Sequence, residues 1–502
     1  MSDKISIDTS RLQDLINDNL ASKLKRDMAD SVRYYNCEHD ILTSKRQYFR
    51  DGILVDNKSK SNNVIPHPFH TNLVNQKADY IARNPITINI AGEANGEAEA
   101  VAFRTVLINE MTEKFDDVVY DWVLGASKKS FEAVHFYINP DGELRFCIVP
   151  AEQIIPIYDT QYQDKLVYII RFYGVDYIAQ DGGKKKLYKV EWWSKDNVEY
   201  FEQIEDGSFI HDGNYTVNPY PHWVTDFVLD GQKTVTESHS WGRVPFVLLW
   251  NNSNLTNDLK PIKALIDVYD KIKGGWANDI EDFQEILYVI KGLSNLSQEM
   301  SNGLTELGML IKNIKEDGAI AVEEDGDVKT LRAEIPVVAK ESFLALTTAE
   351  IFYFGEGISL SEKTLGVSHA PSGVALKFLY APLDMKSDRL ILKLKSALKE
   401  FVWFVTNYIN TRDGLEFDSN KITFTVNKSM IFSESEKIQS LVASKDMLSE
   451  ETILANHPFV DDVQGEMELL KRQRDAQTVV DQKNLDNQMA MVGLKKDNNA
   501  VI

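Results

Sequence analysis

Residues 244–283 read VPFVLLWNNSNLTNDLKPIKALIDVYDKIKGGWANDIEDF, and the character of the chain changes inside this stretch. Val244–Trp250 is a short, nearly continuous apolar run of the kind that builds a buried strand. From Asp258 onward, Ile262, Leu265, Ile266, Tyr269, Ile272, Trp276, Ile280 and Phe283 step by three and four. That spacing predicts an amphipathic helix over about 258–284. A tract of strands leads up to this point and long helices follow it, so strands and helices fall largely in separate blocks and the chain reads as α+β.

Upstream, residues 131–250 are rich in Tyr, Val, Ile, Phe and Trp in short runs: Ala133–Ile138, Leu144–Val149, Leu166–Tyr173, Lys186–Trp193 and Val198–Ile204. Asn139-Pro140-Asp141-Gly142, Asp181-Gly182-Gly183 and Glu205-Asp206-Gly207 separate them as turn signals, so the tract reads as an antiparallel β module. Further back, Leu12, Leu15, Ile16, Leu20, Leu24, Met28, Val32 and Tyr35 predict helix across the first forty residues. Asp51–Asn63 reads as a polar loop, and Asn72–Arg83 as a helix ended by Asn84-Pro85.

Downstream, Ala319–Val322 and Val328–Ile335 are expected to pair as strands around Asp325-Gly326, followed by a helix over Val337–Phe354. Gly355–Gly373 is a loop rich in Gly, Ser and Pro. Leu376, Leu379, Leu383, Leu390, Leu394, Leu398, Val402, Val405 and Ile409 then mark a helix over 374–409, about 50 Å long. Pro382 is expected to kink it. A strand at Lys421–Val426, a capping box at Ser433-x-x-Glu436 and a helix opening at Ser449 follow. From Lys471 the chain is polar and expected to be frayed. No internal repeat is visible.

The 502 residues are too many for one ordinary core and imply several modules. With 55 Lys and Arg against 76 Asp and Glu, the formal net charge is −21. A protein that grips nucleic acid over a broad face is basic, because affinity comes from neutralising phosphates. This composition excludes a generic DNA binder and suits a surface that lets DNA pass. The two cysteines, Cys37 and Cys147, read as reduced thiols. The start lacks the apolar core of a signal peptide, and no apolar run approaches the roughly 20 residues a membrane span needs.

Motifs for chemistry are absent from the sequence: there is no G-x-x-x-x-G-K-[ST] loop, no G-x-S-x-G elbow and no H-E-x-x-H. His67-x-x-His70 is the nearest approach to a metal pair, but metal sites need three or four convergent ligands. His39-Asp40 and Asp461-Asp462 are lone pairs. No cofactor and no catalytic residue is expected. An alternative reading, a metal-dependent nucleic-acid-processing enzyme, would need a convergent carboxylate or histidine set.

Three ordered stretches carry a family resemblance. Asn72-Leu73-Val74-Asn75-Gln76-Lys77-Ala78-Asp79-Tyr80-Ile81-Ala82-Arg83-Asn84-Pro85-Ile86 resembles the N-x-V-x-x-K-x-x-Y-[LI]-x-G-x-P-[IV] segment of portal proteins from long-tailed phages of Gram-positive hosts, with Arg83 where glycine is common. Gly242-Arg243-Val244-Pro245-Phe246, Asn251-Asn252, Asp258-Leu259 and Leu265-Ile266-Asp267-Val268-Tyr269-Asp270 are similar to that family's approach to its stem helix. Ser449-Glu450-Glu451-Thr452 and Pro458-Phe459-Val460-Asp461-Asp462 resemble its crown. Leu331-Arg332-Ala333-Glu334-Ile335-Pro336 also fits.

The resemblance implies a multi-module portal fold: wing 1–257, stem helix 258–284, clip 285–336, second stem helix 337–354, tunnel loop 355–373, a long kinked helix 374–411, crown 412–470 and a flexible tail 471–502. It implies a dodecameric ring at the unique capsid vertex of a virion, made first in the host cytoplasm. Double-stranded DNA would pass without sequence preference. The terminase large subunit, head-completion adaptors, scaffold and major capsid proteins would be partners, and no membrane. The implied tunnel-loop residues are Gly355, Gly357, Thr364, Gly366, Ser368, His369, Ser372 and Gly373. Lys377, Lys386, Arg389 and Lys393 on the long helix either face DNA, interlock with a neighbour or form a solvated face. Asp258, Asp267, Asp270, Asp279, Glu281 and Asp282 are candidates for an acidic, slippery stem wall. Leu331, Arg332, Glu334 and Ile335 are candidates for clip assembly. Another head–tail connector ring is the remaining alternative to a portal, though such subunits are usually much shorter.

Overall fold

The computed structural model describes residues 9–282 except 51, 59, 112–113, 163–164, 179–182, 205–206 and 230–232. It also describes 287–291, 327–331, 336–359, 373–429, 438, 441–455, 457, 459–460, 463 and 465–477. Two compact units emerge, 1–359 with 382–429, and 360–381 with 430–502.

The predicted N-terminal helix is two helices, α1 (Thr9–Leu20) and α2 (Lys23–Tyr35). The break falls at Ser22, whose extended backbone and side-chain acceptor to the Lys25 amide make it the N-cap of α2. The expected polar loop at 51–63 contains part of a ribbon instead: β1 (Gln47–Arg50) pairs with β2 (Ile53–Asp56), Arg50 opposite Ile53. Gly52 has φ +79°, the left-handed geometry that a hairpin turn favours.

Next come α3 (Phe69–Ala82), β3 (Thr87–Ile90), α4 (Ala98–Met111) and α5 (Lys114–Lys129). The β module follows with β4 (Phe131–Ile138), β5 (Leu144–Val149), β6 (Ile154–Tyr158), β7 (Leu166–Ile178), β8 (Lys184–Trp193), β9 (Asn197–Gln203), β10 (Phe209–His211) and β11 (Tyr220–Pro221). β12 (Trp223–Leu229), β13 (Lys233–His239) and β14 (Phe246–Trp250) complete it. Strands β10-β9-β8-β7-β6 form one antiparallel sheet with β11 added to β9, and β14-β4-β5 form a second. The antiparallel module read from the sequence is therefore observed. The β12–β13 hairpin is an addition to that reading.

Beyond it lie α6 (Lys263–Asp282), β15 (Leu287–Lys291), β16 (Asp327–Leu331), α7 (Val337–Phe354), α8 (Gly373–Asp413), β17 (Ile422–Thr425) and α9 (Glu450–Ala455). β16 pairs with β15 in antiparallel register, Leu287 opposite Leu331, whereas the sequence reading paired it with Ala319–Val322. Residues 319–322 lie outside the described set, as do the capping box at Ser433 and the tail from 478. Asp258 precedes α6 rather than opening it. α8 runs 41 residues without interruption through Pro382, about 60 Å. Ser449 accepts the Thr452 amide at the start of α9, as its sequence predicted.

α8 is the axle of the main core. Leu390, Leu394, Leu398, Phe401, Val402, Val405 and Ile409 are buried against α3, α4, α5, β4 and β14. β17 returns to pair with β3, tying residues 422–425 to 87–90. Phe401 sits among Phe115, Trp122, Phe136 and Phe146, ring centroids 5.3, 6.5, 4.9 and 4.9 Å away. Phe401→Ala removes that shared ring contact and leaves a cavity. It should lower unfolding stability by about 3–5 kcal/mol, read as a shift in the denaturant midpoint.

Candidate functional site

α3 turns an apolar face inward, and a lysine stands within it. Leu73, Val74, Ala78 and Ile81 are buried, and so is Lys77, only 2% exposed. Its Nζ donates to Asn251 Oδ1 at 2.6 Å and meets Asp258 at 3.2 Å. From α8, Lys386 Nζ reaches the same carboxylate at 3.1 Å. Asn251 Nδ2 donates to Asp258 Oδ1 at 2.9 Å, and the Asn251 and Asp258 amides are themselves held by the Ser130 and Ser127 carbonyls.

One carboxylate thus sits between two ammonium groups inside the protein. Burial alone would push Asp258 upward. The charges of Lys386 and Lys77, with the hydrogen bonds from Asn251 and Lys386, outweigh it and hold this carboxyl well below the usual range. Burial pulls Lys77 down to about 8, against the opposing attraction of Asp258.

Lys386 has a second task. Its Nζ donates to the Gly355 carbonyl at 2.8 Å, at the root of the glycine-rich loop. The next residue, Glu356, has φ +51° and pairs with Arg389 one turn along α8. Gln76 exchanges two hydrogen bonds with Ile358, accepting its amide at 3.0 Å and donating to its carbonyl at 2.9 Å. A Cβ on Gly355 would lie 2.7 Å from Leu73 Cδ1, and one on Gly357 would lie 2.0 Å from Leu73 Cδ2. These two glycines therefore permit close packing on α3. The expectation that they serve a freely approaching loop is corrected. Thr364, Gly366, Ser368, His369 and Ser372 lie outside the described residues, and Gly373 opens α8.

The long-helix cations divide. Lys386 is buried in the hub, which removes it as a group facing DNA or solvent; Arg389 is engaged with Glu356; Lys377 and Lys393 are exposed. The acidic residues of α6 divide likewise. Asp270 is fully buried, accepting from His39 Nδ1 at 2.6 Å and from His67 Nδ1 at 2.8 Å. It is therefore not a wall residue. Asp267 takes Tyr34 and Lys263, Asp279 takes Lys340, and Asp282 takes Arg46 and Ser61. Glu281 is exposed, and Asp258, buried in the hub, is not a wall residue either. Leu331 is the last residue of β16; Arg332, Glu334 and Ile335 lie outside the described residues.

His67 and His70 do not converge. His67 serves Asp270, while His70 Nε2 lies 2.9 Å from Ser31 Oγ. Among the described residues no group of three His, Cys, Asp or Glu is arranged to hold a metal, and no described helix is long and apolar enough to cross a membrane.

Lys77 belongs to the first stretch singled out in the sequence and Asn251 and Asp258 to the second, so two separated motifs meet at one buried point. Comparison with known proteins agrees. The family described as "Phage portal protein, SPP1 Gp6-like" matches residues 16–479, and the chain belongs to it. The portal protein of Bacillus phage SPP1 is 30% identical over 496 residues, covering 98% of this chain and 91% of that one. The portal protein of Clostridium phage phiCD119 is 26% identical over 462 residues, covering 88% of this chain and 91% of that one. A solved structure titled "Neck of empty GTA particle computed with C6 symmetry" aligns more loosely, over 78% of this chain and 90% of that one, with TM-score 0.42 and 13% identity.

Asp258→Asn leaves Lys77 and Lys386 buried beside each other without a counter-charge. It should cost about 3–5 kcal/mol at pH 7, measured by denaturant unfolding. The gap from wild type should narrow as pH falls below about 4, where an ordinary aspartate in the unfolded chain takes up its proton. A second pH effect comes from histidines that burial keeps neutral. Burial holds His70 and His135 down to about 3 and His222 down to about 4. The unfolded chain therefore binds more protons between about 6.5 and those values, and stability should decline as pH falls through that window. Thermal midpoints measured from pH 7.5 to 4 check the sign.

Proposed function

We propose that copies of this chain close into a ring, a dodecamer as its family resemblance implies, at one capsid vertex, and that double-stranded DNA is packaged and released through its bore. The observation that carries the reading is the family match across residues 16–479. Under this reading α6 and α7 form the stem, residues 285–336 the clip, 1–257 the wing and 412–470 the crown. The clip receives the packaging terminase and later the head-completion adaptors, while outer surfaces meet scaffold and major capsid protein. The protein acts as a conduit and a platform, with no bond made or broken by its own residues.

The charge supports passage over retention. A net charge of −21 gives DNA no broad basic surface on which to lodge. The stretch 360–372 of the expected tunnel loop 355–373 is the proposed contact with moving DNA. Its leading side is firmly based, because Lys386, Arg389 and Gln76 fasten residues 355–358 to α8 and α3.

Negative-stain electron microscopy of the purified chain should show rings with a central channel, and a persistent monomer under all assembly conditions would overturn the reading. Replacing 360–372 by a short Gly-Ser linker should leave ring yield unchanged and abolish packaging in a reconstituted terminase assay. Full packaging by that variant would remove the loop from the mechanism.

A further inference from the structure

Two apolar surfaces of the main unit lie uncovered on different flanks of α6. The first is the β1–β2 ribbon. Phe49 stands opposite Leu54 and Tyr48 opposite Val55, with Arg50 facing Ile53. All these side chains are exposed, Phe49 to 74% and Ile53 to 69%. Because cross-strand partners share a face and successive pairs alternate, both faces of the ribbon are bare. A lone two-stranded ribbon is marginally stable in water, so one that spends its apolar residues this way needs a covering surface.

The second surface is α7. Its sequence, VVAKESFLALTTAEIFYF, is apolar nearly all round, the composition of a helix meant to be enclosed. In the single chain only Leu344, Thr347 and Ile351 are buried. Val338, Leu346 and Tyr353 fall within about 80° of one another on the wheel and stand in solvent, with Phe343 beside them. Val338 is 76% exposed.

Their placement on α6 is what joins them. The chain carrying the ribbon is fastened to α6 by Arg46 and Ser61 on Asp282, by Asn63 on Asn278, and by Gly274, where a Cβ would strike the Asn63 carbonyl at 2.5 Å. α7 is fastened to another flank: Lys340 pairs with Asp279, about 100° round the helix from Asn278. Both attachments use the last turn of α6, so the root of the ribbon and the first turns of α7 stand at the same level. A head-to-tail contact in a closed ring needs two such unlike faces on each copy, aligned in level.

We propose that the β1–β2 ribbon of one copy seats on the exposed Val338–Leu346 face of α7 in the next. This rests on the ring reading above. A charge of each sign borders the two surfaces: Arg50 is exposed at the end of β1, on the ribbon face opposite Phe49, and Glu341 is exposed on α7 about 60° round the helix from Val338. The contact covers apolar surface that both elements leave open in the isolated chain.

The test uses full-length chains. Phe49→Cys and Val338→Cys proteins are assembled separately and as an equal mixture, treated with a short bismaleimide, and mapped by peptide mass spectrometry. Only the mixture should yield a 49–338 cross-link, because neither chain alone holds both cysteines; mapping separates this link from any made by Cys37 or Cys147. In parallel, Phe49→Asp/Ile53→Asp protein should keep the wild-type far-ultraviolet circular dichroism and lose ring yield by about tenfold or more on size-exclusion chromatography with light scattering. Mixed rings that form without the 49–338 link, or doubly substituted protein that makes rings at wild-type yield, overturn the docking while leaving the ring reading intact. Wild-type protein that never forms rings overturns both.

Discussion

The Asp258 carboxylate between Lys77 and Lys386 is the constraint on which the rest of the main unit depends. Three buried charges cost several kcal/mol each in desolvation, and their mutual attraction repays that only where the geometry is closely held. Here it is held by three separate parts of the chain: α3, the link between β14 and α6, and α8. If the link carrying Asp258 is displaced, two ammonium groups remain face to face in a low-dielectric interior; if α3 or α8 slips by a turn, a buried lysine loses its counter-charge. The hub therefore acts as a register pin. It sets where α8 stands against α3, and through Lys386 and the Gly355 carbonyl it sets where the glycine-rich loop begins.

How far the sequence reveals this can be argued residue by residue. Leu144–Val149 was read with the bounds it has, because Phe146, Ile148 and their neighbours are β formers between unmistakable turns. The β2 half of the ribbon reads as loop in the sequence because its apolar run is only Ile53-Leu54-Val55, followed by Asp, Asn, Lys and Ser, with no covering surface to impose alternation. Lys77 and Asn251 are visible as motif letters without an assigned task, and Asp258 reads in the sequence as one more acidic stem residue, whereas the fold buries it between two lysines. The clue was Lys77 itself, a cation at a position where the helical period calls for a core residue. Its partners lie 174 and 181 positions away, beyond the reach of any local rule.

The acidic balance needs the same care. Reading Asp267, Asp270, Asp279 and Asp282 as a repelling wall treats formal charge as if it were surface charge. In the fold each of these carboxylates meets a donor from another part of the molecule, and Asp270 is sealed between two histidines. Much of the negative charge on α6 is thus spent inside the subunit, stitching the helix to α7 and to the segment between α2 and α3. What passing DNA would sense is the remainder, carried by exposed groups such as Glu281 and offset by exposed Lys377 and Lys393.

This division of labour has a consequence for assembly. Ion pairs that hold α6, α7, α3 and α8 lie within one chain, so the parts of a subunit are ordered before it meets another. Association then loses less conformational freedom than it would if those elements had to be fixed at the moment of contact. Apolar surface is used the other way: α7 keeps one narrow stripe for its own chain and leaves the wider one outside. Polar contacts that demand exact geometry sit where the chain can enforce it, and non-directional apolar burial is left for the joint between copies, where small differences of angle must be tolerated for a ring to close.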